Sequence, residues 1–260
     1  MTTDPRVIAE AWRPQFPGRR ETKDIADPII EPDWAGLRAV AAIHSGKAEI
    51  YRYGDRIDVP ASLEEALGYA FEAQDGIIEG HLTKQAFDTG VGAYPEADPV
   101  ARPIFSMPRF LKRGHNDPFI IGRRHQGEEE ARALGFLEAL AAGEDHAFVA
   151  VDLLWLDGQD LTDVPLQERK RQLDTVLAQS RLVRVTPWTR PAGSRMAGTW
   201  GTLGFEHVFW RGANSRYTPG AENPDFVVVN APKAQGRPAD PHAPKGDATE
   251  TPDDPPAKDA

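Results

Sequence analysis

FVAVDLLWLDGQDLTDVPLQERKRQLDTVL, Phe148 to Leu177, divides into two halves with different patterns. Extended back to His146, the first half reads HAFVAVDLLWL, a near-continuous apolar run of strand length, which is the pattern of a buried strand. The second half, PLQERKRQLDTVLAQS, alternates apolar and charged residues as a helix does. Arg169, Lys170 and Arg171 on this helix are expected to solvate its exposed face. A buried strand feeding an amphipathic helix calls for further strands on which both can pack.

The flanking sequence supplies them. LRAVAAIHSGKAEIYRYGDRID contains two β-rich runs around His44-Ser45-Gly46-Lys47, which carries turn chemistry, so a hairpin is expected there. ASLEEALGYAFEAQ reads as an amphipathic helix with Ser62 and Glu65 spaced as a capping box. DGIIEGHL is a short apolar strand. GEEEARALGFLEALAAGED is a helix with its acids at the N-terminal end, where the helix dipole favours them. HVFWRG and DFVVVN read as late strands. Antiparallel hairpins interrupted by separate helices give an α+β fold. No internal repeat is visible, no phosphate-loop motif occurs, and GVGAY at Gly90 to Tyr94 reads as a flexible turn.

The chain has 260 residues, 40% of them hydrophobic and 27% charged, and its formal net charge is −10. Without cysteine it has no disulfide, no thiolate catalysis and no cysteine-ligated zinc. Asp4, Arg6, Glu10 and Arg13 interrupt any apolar run near Met1, and no stretch has the length of a membrane span, so a cytoplasmic protein is expected. The acidic balance opposes nonspecific nucleic-acid binding, which draws its affinity from phosphate neutralisation. From about Ala231 the chain lacks aromatic and branched aliphatic residues, and this Pro/Ala/Asp-rich stretch, 231–260, is expected to be a disordered tail. Residues 1–27 read as an N-terminal segment and 28–230 as one domain.

Taken together, three segments resemble the adenylation domain of ATP-dependent DNA ligases, a nucleotidyltransferase family. The first is Phe148 to Leu177, with its strand, Leu-Asp-Gly turn and Leu-Thr-x-x-Pro-Leu helix entry. EHVFWRGANSRYTPG, Glu206 to Gly220, is similar to the segment that leads from a Glu-Gly pair through a lysine into a Ser-Pro-Tyr loop. EPDWAGLR, Glu31 to Arg38, is similar to the family's Glu-Pro-Lys-x-Asp-Gly-x-Arg. The resemblance runs in order over residues 28 to 230. It implies a nucleotidyltransferase fold of antiparallel sheets flanked by helices. The family's oligonucleotide-binding (OB) barrel needs on the order of 80 residues, more than the tail holds, so no OB domain is expected.

The positions that carry chemistry in the family differ here. The resemblance puts Asp33 where a lysine attacks the ATP α-phosphate, and Ala35 where an acid follows it, while Gly36 and Arg38 match. Glu79-Gly80-His81 stands for Asp-Gly-Glu, placing His81 at the metal-facing glutamate. Val151, before Asp152, stands for the aromatic that stacks on adenine. Glu206-His207 replaces Glu-Gly, Arg211 replaces a lysine, and Val228 and Asn230 replace the last two lysines. A carboxylate cannot form the P–N bond an amine forms. It also puts a like charge beside a triphosphate, a pair that costs about 4 kcal/mol at contact at an effective dielectric near 20. The resemblance therefore implies a disabled nucleotide site, with no cofactor expected and no catalytic residue assigned.

Each of these residues also has a plainer reading. Asp33 is by default a hydrogen-bonded strand residue, and Glu79 and His81 share a strand face without needing a cation. Asp152 and Glu206 read as structural hydrogen-bond residues. Arg38 and Arg52 match family arginines near nucleotide or DNA phosphates. FLKRGHNDPFIIGRRHQG gathers Arg109, Lys112, Arg113, Arg123 and Arg124 with Phe110 and Phe119, a patch able to meet phosphates and stack on bases. The leading expectation is a DNA-ligase-like pseudoenzyme that binds nicked or broken DNA, or scaffolds repair proteins, in repair or end joining. One alternative is an active ATP- and Mg-dependent ligase or adenylyltransferase with a displaced lysine, Lys23 or Lys84. Another is a protein-interaction module without nucleic acid.

Overall fold

The computed structural model describes residues 4–89, 133, 135–140, 142–190 and 200–231. The basic run around 109–124, the glycine turn at Gly90 to Tyr94 and the tail beyond Ala231 lie outside the described residues. In chain order the elements are α1 (Pro5–Ala11), β1 (Phe16–Pro17), β2 (Pro28–Pro32), β3 (Leu37–His44), β4 (Lys47–Arg52), β5 (Asp55–Ile57), α2 (Ala61–Ala70), β6 (Asp75–Thr83) and α3 (Gln85–Thr89). Then come β7 (Ala147–Leu156), β8 (Gln159–Asp160), α4 (Leu166–Val176), β9 (Val183–Val185), β10 (His207–Gly212), β11 (Glu222–Asn223) and β12 (Phe226–Asn230). Residues 135–140 are also helical.

One kind of turn builds most of the large sheet. Ser45-Gly46, Tyr53-Gly54 and Asp157-Gly158 each place two successive residues at positive φ, the geometry whose twist matches a two-residue hairpin. They close β3–β4, β4–β5 and β7–β8, so the hairpin expected at His44–Lys47 forms as read. The strand order is β5-β4-β3-β6-β7-β8, with β9 parallel to the start of β7. All nine residues of β6 are buried, because both faces of the sheet are covered. One face carries Ala39, Ala41, Ile43, Ile78, Leu82, Phe148 and Leu153 into a core shared with α2 and α4. The other face holds the candidate site.

A second sheet, β12-β10-β2, is antiparallel throughout. α1 starts at Asp4, whose side chain accepts the Arg6 N–H, and Pro5 sits where no N–H is needed. Its buried face packs with Val40, Ala42 and Ile77, so the described part of the N-terminal segment lies on the domain's own sheet. Two expectations are corrected. α2 begins at Ala61 after Pro60 and has no side-chain cap, so Ser62 lies inside the first turn and cannot form a capping box with Glu65. In α4, only Arg171 solvates the helix; Arg169 and Lys170 are buried.

Candidate functional site

Two bulges in the β6–β7 ladder bracket Asp152. Glu79 faces Asp152 while Gly80 faces Ala150, and Ile77 faces Trp155 while Ile78 faces Leu153, which leaves Val151 and Leu154 as the extra residues. Bulges re-aim neighbouring side chains, and here Asp152 meets α4. Arg169 Nε and Nη2 donate to Asp152 Oδ1 and Oδ2 at 2.8 and 2.9 Å, a two-pronged pair with both side chains fully buried. The Leu153 N–H adds a third bond to Oδ1. Burial would push Asp152 up, but Arg169 and then Arg211 outweigh it and hold the carboxyl below its ordinary range.

Glu31 and Arg211 extend this cluster from the second sheet. Arg211 Nε donates to Glu31 Oε2 at 2.7 Å, and its Nη1 reaches Asp152 Oδ2 at 3.1 Å, so Arg211 joins the two carboxylates. Lys170 Nζ donates to Glu31 and to the Val151 carbonyl, the latter at 3.0 Å. Burial pushes the Lys170 ammonium down, against the pull of Glu31. Three cations thus meet two carboxylates out of solvent. Such a cluster is stable only while every member is paired, since losing one partner strands a buried charge.

Beside this charged cluster the packing is apolar. Trp34, 2% exposed, packs with Val149, Val151, Trp200, Phe205 and Val208 in one cluster. Its indole meets the Phe205 ring edge-on, with centroids 5.0 Å apart, and Nε1 donates to Thr186 Oγ1 at 2.9 Å. Val151 is therefore packed against protein. Gly36 is required by the fold itself, because a Cβ there would lie 2.3 Å from the Leu82 carbonyl oxygen. Ala35 is exposed, and its N–H goes to Gln85 Oε1.

Asp33 follows β2, its N–H bonded to the His207 carbonyl at 3.1 Å. Its Oδ2 lies 3.6 Å from His207 Nδ1, an electrostatic contact longer than a hydrogen bond. Arg38 donates from Nε to Glu79 Oε1 at 2.6 Å and from Nη1 to the Gln15 carbonyl at 2.9 Å. The N-terminal segment thus occupies one side of the Arg38 guanidinium. Burial raises the Glu79 carboxyl, with Arg38 opposing. His81, 3% exposed, sits opposite Arg38 in the ladder. Glu206 is exposed, Val228 is buried against Phe209 and Phe226, and Asn230 is exposed at the end of β12. The Arg52 guanidinium lies 4.5 Å over the Tyr53 ring. Arg109, Lys112, Arg113, Arg123 and Arg124 are outside the described residues.

The fold therefore brings Glu31, Asp152 and Arg211 into one cluster and joins Arg38 to Glu79. Among the described residues no group of three or more His, Asp or Glu side chains is arranged to hold a metal. Trp34, Arg169 and Lys170 belong to the site and were missed as site residues in the sequence. Helical spacing carried the signal for the last two, since Leu166, Arg169, Lys170 and Leu173 fall at i, i+3, i+4 and i+7 on one face.

No family model matches the chain. A DNA ligase of Methanoculleus marisnigri is 34% identical over 98 residues, covering 33% of this chain and 18% of that protein. Among solved structures, the ligase domain of M. tuberculosis LigD aligns over 85% of this chain and 60% of its own, with a TM-score of 0.53 at 17% identity. A mycobacterial DNA ligase D complexed with ATP and MES aligns over the same shares, with a TM-score of 0.51 at 18% identity. The chain therefore spans less than a fifth of that curated ligase and 60% of each of these two ligase structures. Its fold is the nucleotidyltransferase fold of the adenylation domain of ATP-dependent DNA ligases, as the three sequence segments implied.

Proposed function

We propose that this chain is a DNA-ligase-like pseudoenzyme, a non-catalytic DNA-binding or scaffold protein of DNA repair or end joining. The observation that carries the reading is that the pocket is filled from within. Asp33 stands at the nucleophile position against His207. Trp34, Val151, Trp200 and Phe205 pack where a base would stack. Cations that would otherwise face phosphate are bound to carboxylates: Arg38 to Glu79, Lys170 to Glu31, and Arg211 to both Glu31 and Asp152. Lys23 and Lys84 offer no substitute nucleophile in this geometry, as they lie at the surface paired with Glu21 and Glu144. The pathway and the DNA-binding role rest on likeness to ligases.

The test is incubation with α-labelled ATP and Mg²⁺ or Mn²⁺, followed by a denaturing gel, with a complete ligase labelled alongside. The expected result is a labelled ligase and an unlabelled chain. A stable labelled band on this chain restores the adenylyltransferase reading, and Lys23→Ala, Lys84→Ala and Lys170→Ala then locate the nucleophile.

A further inference from the structure

We infer that residues 12–18 form an intramolecular strap, bolted by Gln15, that shields one side of Arg38 and opens as a unit with the β10–β11 loop. The inference goes beyond the proposed function and holds whether or not the chain binds DNA. Gln15 is 2% exposed and joins elements of both sheets. Its carbonyl accepts Arg38 Nη1 from β3 at 2.9 Å, and its N–H donates to Tyr217 Oη at 3.3 Å. Its Oε1 accepts from Asn223 Nδ2 at 2.8 Å and from the Thr218 N–H at 3.4 Å. One residue thus ties a strand of the large sheet to the loop that leaves the second sheet. The neighbours extend this seam: Trp12 Nε1 donates to the same Tyr217 oxygen at 3.1 Å, Phe16 N–H to the Ala221 carbonyl at 2.9 Å, and Gly18 N–H to the Phe226 carbonyl at 2.7 Å. Glycine is needed at 18 for this approach, because a Cβ there would lie 2.5 Å from the Asn223 carbonyl oxygen.

Three features make this seam a strap rather than a piece of the core. It is stitched mainly by hydrogen bonds, which exchange for bonds to water on opening and so contribute modestly each. The helix before it, α1, has seven residues, too few to hold itself without tertiary contacts. The chain after it is exposed at Arg19, Arg20, Glu21, Lys23 and Asp24, and the pairs Arg19–Glu222 and Arg20–Asp225 lie at the surface, where ion pairs add little. Terminal segments held in this way open locally at a lower free energy than strands at the centre of a sheet. Trp12 is the apolar anchor that recloses the strap, buried in one cluster with Val40, Ala42, Ile77 and Tyr217. Beneath the strap, the Arg38 side chain is 12% exposed and is shared between Glu79 and the Gln15 carbonyl. Opening removes that carbonyl and returns one edge of the guanidinium to solvent, so the chain's own N-terminal part regulates access to Arg38.

The test is hydrogen exchange of the full chain read by mass spectrometry, paired with phenylglyoxal labelling of its arginines. In the parent, peptides over 13–18 and 215–223 are expected to exchange at a common rate, ahead of peptides over β6 and β7. Gln15→Ala removes both side-chain hydrogen bonds to Oε1 and should speed exchange of the two segments by about ten-fold. Arg38 labelling should rise by a similar factor, while β6, β7 and the exposed Arg171 keep their parental rates. Gly18→Ala lifts the other end of the strap off Asn223 and should act in the same direction, which keeps the test sound if Gln15→Ala does not fold. Acceleration confined to 13–18 overturns the inference, because the segment is then a frayed end that holds nothing else. Acceleration that spreads to β6 and β7 also overturns it, because the segment then belongs to the global core. So does unchanged Arg38 labelling in a variant whose strap exchanges faster, or unchanged exchange in both variants.

Discussion

Two neighbouring clusters, one charged and one apolar, are held by opposite means. In one, Glu31, Asp152, Arg169, Lys170 and Arg211 pair with one another out of solvent. Beside them, Trp34, Val149, Val151, Trp200 and Phe205 pack as an ordinary core with one satisfied indole N–H. The charged half is brittle, because desolvated ions depend on every partner. The apolar half is forgiving, because a volume change there is shared among neighbours. Buried groups can thus be held either by pairing charges or by packing surfaces, and this face of the sheet does both.

The largest effect is expected where the comparison is sharpest. Arg211→Ala leaves Glu31 and Asp152 short of a shared partner and should lower unfolding stability by about 3–5 kcal/mol, measured by urea denaturation. Replacing the Asp152–Arg169 pair with Leu and Met together should cost less than Arg169→Met alone. If the double change is the worse one, the charged cluster is held by something other than mutual pairing. On the apolar side, Trp34→Phe removes one hydrogen bond and some volume and should cost only about 1–2 kcal/mol. A loss as large as that of Arg211→Ala would erase the contrast between the halves.

The smallest effect lies outside both halves. His146 is buried beside Phe136, with Nδ1 on the Glu144 carbonyl, and burial followed by the Lys84 charge pushes its pKa below the ordinary 6.5. The neutral form is favoured in the fold, so the unfolded chain takes up the proton first as pH falls. His146 therefore contributes stability that is present above about pH 6.5 and lost as pH drops through and below that value. His146→Phe should flatten the dependence of thermal midpoint on pH between 5 and 7. An unchanged pH profile would assign the dependence to another group.

Much of this was legible in the sequence where local chemistry decides. The Ser45-Gly46 turn and the buried runs of β6 and β7 can be read from neighbours in the chain. The contacts around these clusters could not. Gln15 reaches Arg38, and Trp34 meets Phe205 and Thr186, through contacts between residues far apart in the chain. Arg169 and Lys170 were misread because charge was weighed above helical phase, although their spacing from Leu166 and Leu173 marked them as inward. Val151, whose packing the sequence did not reveal, lies in a cluster with Trp34, Val149 and Trp200.

The central claim is that protein groups occupy the nucleotide's place, and ligand-linked stability tests it most directly. A ligand at a hundred-fold excess over its dissociation constant stabilises the fold by about 2.7 kcal/mol, enough to raise a thermal midpoint by several degrees. Thermal unfolding of the full chain with ATP and Mg²⁺ titrated into the millimolar range is predicted to give a constant midpoint. A midpoint that climbs with ATP, and not with an equal concentration of inorganic triphosphate, would contradict the account, because a filled pocket has no room for the base.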